Sequence, residues 1–244
     1  ALFLIVYKRL RMNRFKNKNY LNITYSEKMA PKSSYPDKLG AWIAKNIFKR
    51  RGKIIDLGCG RGDYLESFEK LEYDICGVDI SSKIEELSKK YNVDYIDFDQ
   101  NDGLETKYDF VFSKSVIEHL KTPDNLFSTA YDCLNSEGVA VIMTPSWEYN
   151  NWGPFYFDHT HITPFTKISL KNALHIAGFK DVKVYYFYQL PILWKYPFLK
   201  PLIKILQWVH LPYRPFSDAP WPLEMNKLIR FSKEVMLLAV AKKE

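Results

Sequence analysis

The sequence is short of several residue types, and each shortage argues against a class of protein. Only 3 cysteines occur in 244 residues, Cys59, Cys76 and Cys133, and no two have Cys-x-x-Cys spacing. This odd, scattered set argues against a disulfide framework and a cysteine zinc site, and it favours a reducing cytoplasm. The 10 glycines and 13 prolines are too few for a collagen-like or low-complexity chain. No apolar run reaches the roughly 18 residues of a membrane-spanning helix.

An excess of charge of one sign is confined to one segment. The formal net charge of +7 comes from 35 lysines and arginines against 28 acidic residues. Six of the basic residues lie within residues 1–19, which hold no acid, so the rest of the chain has 29 basic and 28 acidic residues. A nucleic-acid-binding domain carries positive charge on its folded body. The near-neutral remainder therefore argues against a nucleic acid partner.

Residues 1–35 are predicted to be a basic N-terminal arm, and residues 36–244 a single domain. The chain begins Ala-Leu-Phe-Leu-Ile-Val-Tyr, and its first methionine is Met12. Apolar residues ahead of the charged ones have the wrong order for a signal peptide. We interpret this segment as sequence preceding a natural start at Met12; a shortened membrane tail is the alternative.

Short apolar runs alternate with helical stretches from residue 37 onward. Strands are predicted at 53–57, 74–80, 93–98, 108–113, 139–144, 181–188 and 231–241, and helices at 37–49, 81–90, 123–134 and 167–177. This alternation predicts an α/β fold, a Rossmann-like doubly wound seven-stranded sheet that is mostly parallel and has helices on both faces. Residues 190–230, rich in prolines and aromatics, are predicted to form a lid inserted between strands six and seven.

The strongest motif is IIDLGCGRG, residues 54–62, in which an acid near the end of a strand precedes three glycines. Glycines let the backbone turn sharply and approach a ligand, while the following helix offers free N–H groups. A nicotinamide-binding GxGxxG motif would need glycine where Asp63 stands. Asp56 suits a cationic ligand better than a pyrophosphate. Asp79 ends the next strand, the position from which a carboxylate binds ribose hydroxyls.

These two acids and the glycines resemble the class I S-adenosylmethionine (SAM)-dependent methyltransferases, over residues 37–189 and the final strand. The resemblance implies SAM as methyl donor and S-adenosylhomocysteine as product. It also implies a set of cofactor contacts that surround the methionyl group, hold the ribose, face the adenine and close the pocket: Asp56, Gly58, Cys59, Gly60, Gly62, Asp79, Ile80, Asp99, Gln100 and Ser113. A Rossmann-like sheet that binds another nucleotide is the alternative.

The segment SKSVIEHL, residues 113–120, follows the fourth strand, and Glu118 and His119 are predicted to lie on the first turns of a helix. It resembles the corresponding segment of ubiquinone-pathway O-methyltransferases and small-RNA 3′-end methyltransferases, where a Glu-x-x-Glu-His run and a later histidine hold a divalent metal. Glu118 and His119 fit this pattern, but Ser115 stands where the first glutamate would be. Because Mg²⁺ prefers oxygen ligands, we predict no metal ligands. A partial metal site is the alternative.

The segment DHTHITPFT, residues 158–166, holds the candidates for acceptor chemistry. Methyl transfer to a hydroxyl requires removal of its proton, and histidine has a suitable ordinary pKa. We predict His159 or His161 as the base, oriented by Asp158, with His119 completing the catalytic set. The alternative is a histidine that only hydrogen-bonds the loop backbone. No [N/D/S]PP[Y/F] tetrapeptide follows strand four, which favours an oxygen acceptor over an amine.

Residues 190–217 contain four basic residues and no acid. A strongly apolar helix there, around Lys200 and Lys204, either packs on the domain or lies on a membrane surface or lipid-like substrate. The sequence therefore predicts a cytoplasmic SAM-dependent O-methyltransferase that acts on a small-molecule, sugar or lipid-linked hydroxyl, with core packing of this helix as the default and peripheral membrane contact as the alternative. Two alternatives are an RNA 2′-O-methyltransferase with a partial metal site and a non-catalytic SAM-binding protein.

Overall fold

A computed structural model describes residues 32–100, 103–151, 154–208 and 224–244, with the side chains of 224–227 excepted. Most of the predicted N-terminal arm therefore lies outside the described residues, as does the 209–223 part of the predicted lid. In the described part of the chain, no helix has the length and apolar character needed to cross a membrane.

The described residues form seven strands and nine α-helices. The strands are β1 (Lys53–Leu57), β2 (Asp74–Asp79), β3 (Asn92–Tyr95), β4 (Tyr108–Lys114), β5 (Leu134–Pro145), β6 (Asp181–Phe187) and β7 (Met236–Lys242). The helices are α1 (Tyr35–Ile43), α2 (Asp63–Lys70), α3 (Ile84–Leu87), α4 (Pro123–Asp132), α5 (Trp147–Asn150), α6 (Lys167–Ile176), α7 (Pro191–Lys195), α8 (Lys200–Leu206) and α9 (Glu224–Lys233). Short 3₁₀ turns include Ile117–His119 and Pro197–Leu199.

All seven strands belong to one sheet, in the order β3-β2-β1-β4-β5-β7-β6. The pairs from β3 through β5 are parallel, while β7 runs antiparallel to both β5 and β6. The strand order reverses between β1 and β4, and such a switch point opens a crevice at the carboxyl ends of the strands. The predicted fold class is confirmed, and the crevice is where a ligand site is expected.

Alternating residues of the central strands face opposite sides of the sheet. Ile55 and Val111 belong to one buried cluster, and Ile54, Phe110 and Phe112 belong to another. Because side chains alternate along a strand, both faces of the sheet are buried. This is why the strands read as continuous apolar runs rather than as an alternation.

Three local predictions differ from the structure. The strand predicted from residue 231 begins only at Met236, because residues up to Lys233 continue α9. The helix predicted over 81–90 is α-helical only over Ile84–Leu87, and Ser81 does not cap it; instead its backbone N–H donates to Asp79. Glu118 and His119 lie in a 3₁₀ turn, with α4 beginning only at Pro123.

Candidate active site

The glycine loop, residues 58–62, leaves the carboxyl end of β1 and leads into α2. The N–H groups of Gly58 and Cys59 donate to Val78 O at 2.8 and 3.0 Å, which fixes the loop against β2. Gly58 has φ +89°, and a Cβ there would collide with Val116. Gly60 also has positive φ, but no atom lies within 4 Å of the place where its Cβ would be. At Gly60 the backbone of the loop therefore faces open space, which would let a ligand approach it closely.

Asp79 holds this loop from the end of β2. Its Oδ2 accepts the Gly60 N–H at 2.8 Å, and its Oδ1 accepts the Ser81 N–H at 2.7 Å. The next side chain, Ile80, is 44% exposed despite being apolar. A fixed carboxylate beside an uncovered apolar side chain suits a ligand that joins a sugar to a flat ring.

Asp56 adds a buried acid to the inner part of the crevice. It is buried near the end of β1, and the pKa of its carboxyl is raised well above the ordinary value by burial first and then by the charges of Asp79 and Asp63. Lys114 opposes this shift. Because the site gathers more acid than base, a positively charged ligand would stabilise it.

We therefore expect Asp56 to lower the stability of the free protein and to strengthen binding of the predicted ligand SAM. The variant Asp56→Asn tests both effects. A carboxyl whose pKa is raised on folding loses stability as the pH rises above its unfolded value. The asparagine variant should melt at a higher temperature without ligand, yet bind SAM about tenfold or more weakly. SAM affinity of the wild type should fall as the pH drops through the raised pKa. Thermal melts and calorimetric titration at several pH values measure both effects.

Asp109 supplies the matched control, because its pKa shift has the opposite sign. Burial would raise the pKa of this carboxyl, but hydrogen bonds from the Lys53 N–H and from Arg50 lower it overall. Asp109→Asn should destabilise the protein and leave SAM affinity unchanged, since Asp109 lies near the amino end of β4, away from the crevice at the carboxyl ends of the strands. Equal behaviour of the two asparagine variants would contradict a special role for Asp56.

A second group of polar side chains, the histidine cluster, consists of Glu118, His119 and His161. One potential ligand atom from each lies within 4.8 Å of those of the other two. The loop after β5 folds back on the turn after β4, because the N–H groups of Ile162 and Thr163 donate to Glu118 O at 2.8 and 3.1 Å. The rings of His119 and His161 meet edge to face at 4.6 Å.

His159, predicted beside His161 as a base, is exposed and lies outside this cluster. Asp158 was expected to orient one of these two neighbours, but the hydrogen bonds differ. Its Oδ1 accepts the Thr160 hydroxyl at 2.6 Å, and Thr160 Oγ1 lies 2.8 Å from His119 Nδ1. Asp158 is therefore linked to His119 through the Thr160 hydroxyl.

These contacts settle the tautomers of both histidines. Thr160 has one hydroxyl proton and donates it to Asp158, so it must accept a hydrogen from His119 Nδ1. His161 Nδ1 lies 2.6 Å from Phe155 O, and a carbonyl can only accept. Both imidazoles thus carry hydrogen on Nδ1 and a lone pair on Nε2.

Burial keeps the cluster close to neutral. It lowers the pKa of His119 to about 4, with a further contribution from His161, and it lowers the pKa of His161. Burial also raises the pKa of Glu118 to about 7. Near pH 7, two uncharged imidazoles therefore face a carboxyl that gains and loses its proton at that pH.

Comparison with known proteins places this architecture in a family. Residues 31–184, more than half of the chain, match the family described as "Methyltransferase domain". The chain belongs to this methyltransferase family. The sequence-based prediction of a class I SAM-dependent methyltransferase is thereby confirmed at the level of the family.

Three relatives illustrate the likeness. The ubiquinone biosynthesis O-methyltransferase of Pasteurella multocida is 24% identical over 118 residues, which cover 41% of this chain and 49% of that protein. Its mitochondrial counterpart from Schizosaccharomyces pombe is 29% identical over 112 residues, covering 42% and 40%. A SAM-dependent methyltransferase structure from Archaeoglobus fulgidus aligns with a TM-score of 0.60 at 24% identity, covering 90% and 98%. The matched region spans half or less of the two ubiquinone enzymes.

Other residues predicted to contact the cofactor have structural partners within the methyltransferase domain. Ser113 Oγ donates to Leu57 O at 2.7 Å and ties β4 to β1. Asp99 Oδ1 accepts the N–H groups of Lys121 and Thr122, each at 2.9 Å. Gln100 donates to Asp97, a buried acid that the sequence analysis overlooked. Their roles toward adenine remain predictions.

The donor atoms of the histidine cluster also suit a divalent cation. Glu118 Oε2 accepts the Thr144 hydroxyl at 2.9 Å, but its Oε1 is buried with no hydrogen-bond partner among the described residues. A carboxylate and two imidazoles match Mn²⁺, Fe²⁺ or Zn²⁺ better than Mg²⁺. If bound there by Glu118, His119 and His161, such a metal would act as a Lewis acid toward an acceptor hydroxyl. The signal in the sequence was the Glu-His pair, to which His159 or His161 could add the later histidine of the pattern.

Proposed function

We propose that this methyltransferase domain transfers the methyl group of SAM to a hydroxyl of a small-molecule, sugar or lipid-linked acceptor. The observation that carries the proposal is the hydrogen-bonded chain Asp158–Thr160–His119, from which we infer that His119 has its lone pair on Nε2. An uncharged imidazole held in one orientation is what removal of a hydroxyl proton needs. The O-methyltransferase names of the two ubiquinone enzymes support an oxygen acceptor.

The glycine loop, Asp56 and Asp79 are proposed to bind SAM at the switch point. Asp79 would accept the ribose hydroxyls, and Ile80 would pack on the adenine. The acids would offset the positive charge of the ligand, whose sulfonium supplies the methyl group. These assignments place the donor at the carboxyl ends of β1 and β2, next to the strand whose following turn holds His119.

The reaction is a direct displacement. The bond between the methyl carbon and sulfur breaks as a bond to the acceptor oxygen forms, and the hydroxyl proton passes to His119 Nε2. The products are the methyl ether and S-adenosylhomocysteine. Fixing donor, acceptor and base in line supplies much of the rate, because the step becomes effectively unimolecular.

A metal-assisted O-methyltransferase is a second candidate, favoured by the unpartnered Glu118 Oε1. Dialysis against a chelator separates the two candidates. Turnover that survives removal of metal supports His119 acting alone. Turnover that disappears and returns with Mn²⁺ or Zn²⁺, but not in a Glu118→Gln variant, supports the metal-assisted reaction.

Methyl-labelled SAM and a fractionated cell extract test the proposal. Lipid, polysaccharide, nucleic-acid and small-molecule fractions are incubated separately with the protein, and label is counted in each. We expect label in a lipid, sugar or small-molecule fraction, in a bond that resists the conditions that cleave methyl esters. Label in RNA would support the 2′-O-methyltransferase alternative. Absence of label with SAM binding intact would support a non-catalytic SAM-binding protein.

A further inference from the structure

The segment between β6 and β7 exposes an unusual apolar surface. Four large side chains of the 3₁₀ turn, of α8 and of the turn just after it are more than half exposed, namely Phe198 (74%), Leu202 (59%), Ile205 (63%) and Trp208 (84%). They recur at intervals of three or four residues, so they share one side of the helix. Large apolar side chains that cluster on a surface mark a binding site for a protein or a membrane.

The exposed side is not simply a poorly packed helix. The opposite side of α8 is anchored, because Ile203 is buried and Gln207 Nε2 donates to Ser232 O at 2.6 Å. The preceding α7 is held by buried Leu193 and by Trp194, whose Nε1 donates to Tyr188 O at 2.8 Å. Residues 191–208 thus form a fixed platform with apolar residues on two sides. One side packs on the core, and the other is exposed.

The charged residues within this segment are all of one sign. Lys195, Lys200 and Lys204 are exposed, and residues 190–208 contain no acid. A protein surface that binds a typical partner carries mixed charge, whereas aromatic and aliphatic groups flanked by lysines match the interface of an anionic bilayer. Aromatic side chains such as Trp208 favour the headgroup region.

The platform lies at the same edge of the sheet as the candidate active site, the edge formed by the carboxyl ends of the parallel strands. Phe187 at the end of β6 and Pro145 at the end of β5 both pair with Met236, the first residue of β7. The two strands therefore end at the same level, on either side of β7. Helix α7 begins just after β6, at the edge where the glycine loop and the histidine cluster also lie. A membrane bound here would lie at the same end of the strands as the candidate active site.

We infer that the surface of Phe198, Leu202, Ile205, Trp208, Lys195, Lys200 and Lys204, the α8 patch, docks on an anionic lipid bilayer. This goes beyond the proposed methyl transfer and stands or falls without it, because docking needs neither SAM nor an acceptor. Insertion of the apolar groups supplies affinity, and the lysines add attraction of about fivefold each near a charged surface.

Vesicle flotation of the full chain tests the inference. The wild type should float with vesicles of phosphatidylcholine mixed with phosphatidylglycerol, and much less with phosphatidylcholine alone. Phe198→Glu combined with Leu202→Glu should abolish flotation, and Lys200→Gln combined with Lys204→Gln should lower the partition coefficient about 30-fold. Because residues 1–19 hold six basic residues and no acid, these six are replaced by glutamine in the wild-type background and in every variant, so that flotation reports on the α8 patch.

Matched controls come from α6 and from the helical turn Ala44–Phe48, which follows α1. Ile168 and Ile176 are 72% and 83% exposed, so Ile168→Glu with Ile176→Glu changes equally exposed apolar residues elsewhere. Lys45→Gln with Lys171→Gln removes two exposed lysines in the same way. Flotation that falls equally in patch and control variants, or never occurs, would overturn the inference. Concentration-dependent dimerisation that only the patch variants lose would also overturn it, by assigning the surface to a second copy of this chain.

Discussion

Replacing His119 by alanine should lower turnover about 10²- to 10⁴-fold while leaving SAM affinity unchanged. The imidazole is uncharged near pH 7, because burial lowers its pKa to about 4, and its lone pair is directed by the hydrogen bond from Nδ1 to Thr160. Removing the ring removes the group that takes the hydroxyl proton, but none of the groups proposed to bind SAM. Steady-state kinetics and calorimetric titration with SAM measure the two quantities separately.

Two further variants separate this role from general damage to the loop. His159 is exposed on the same loop, so His159→Ala should leave turnover unchanged. Thr160→Val removes the acceptor for His119 Nδ1 and should lower kcat by less than loss of the ring, whereas Thr160→Ser should restore it. Equal losses in His119→Ala and His159→Ala, or full turnover in His119→Ala, would remove His119 from the mechanism.

The arrangement of the sheet could be predicted from the sequence because its signals are local. The strands β1 and β4 contain consecutive apolar residues, such as Ile54–Ile55 and Phe110–Phe112, which is typical of parallel strands buried on both faces. The start of β7 could not be placed in the same way. Residues 231–235 mix apolar and polar types and continue directly into Met236–Lys242. So short a pattern does not distinguish the last turn of a helix from the first residues of a strand.

The glycine loop and the histidine cluster differ in how far local sequence predicts them. The glycine loop and Asp79 are each defined by residues within a few positions of a strand end, so their meeting follows from the parallel topology. The partner of Asp158 depends instead on how the loop after β5 folds over the turn at Glu118. That path is fixed by backbone bonds between residues more than 40 positions apart. Sequence spacing favoured the neighbouring histidines, but the chain brings His119 closer.

Asp79→Ala should weaken SAM binding about 100-fold, the largest binding effect expected at this site. The carboxylate already holds the Gly60 and Ser81 N–H groups, and it is proposed to accept the ribose hydroxyls as well. Hydrogen bonds to a charged group contribute about 1.5–3 kcal/mol each, so loss of one or two accounts for this factor. Asp79→Asn keeps the size but not the charge, and should show an intermediate loss. Calorimetric titration with SAM gives the affinities.

Asp74, exposed at the amino end of the same strand, provides the control. Asp74→Ala should bind SAM like the wild type, because the crevice lies at the other end of β2. Thermal melts add a second distinction: Asp79→Ala loses bonds that hold the glycine loop and should melt at a lower temperature, whereas Asp56→Asn should melt at a higher one. Because these two acids lie on one crevice but act on stability in opposite directions, weaker binding in both variants cannot result from a common loss of fold. Unchanged SAM affinity in Asp79→Ala would instead move the donor away from the switch point.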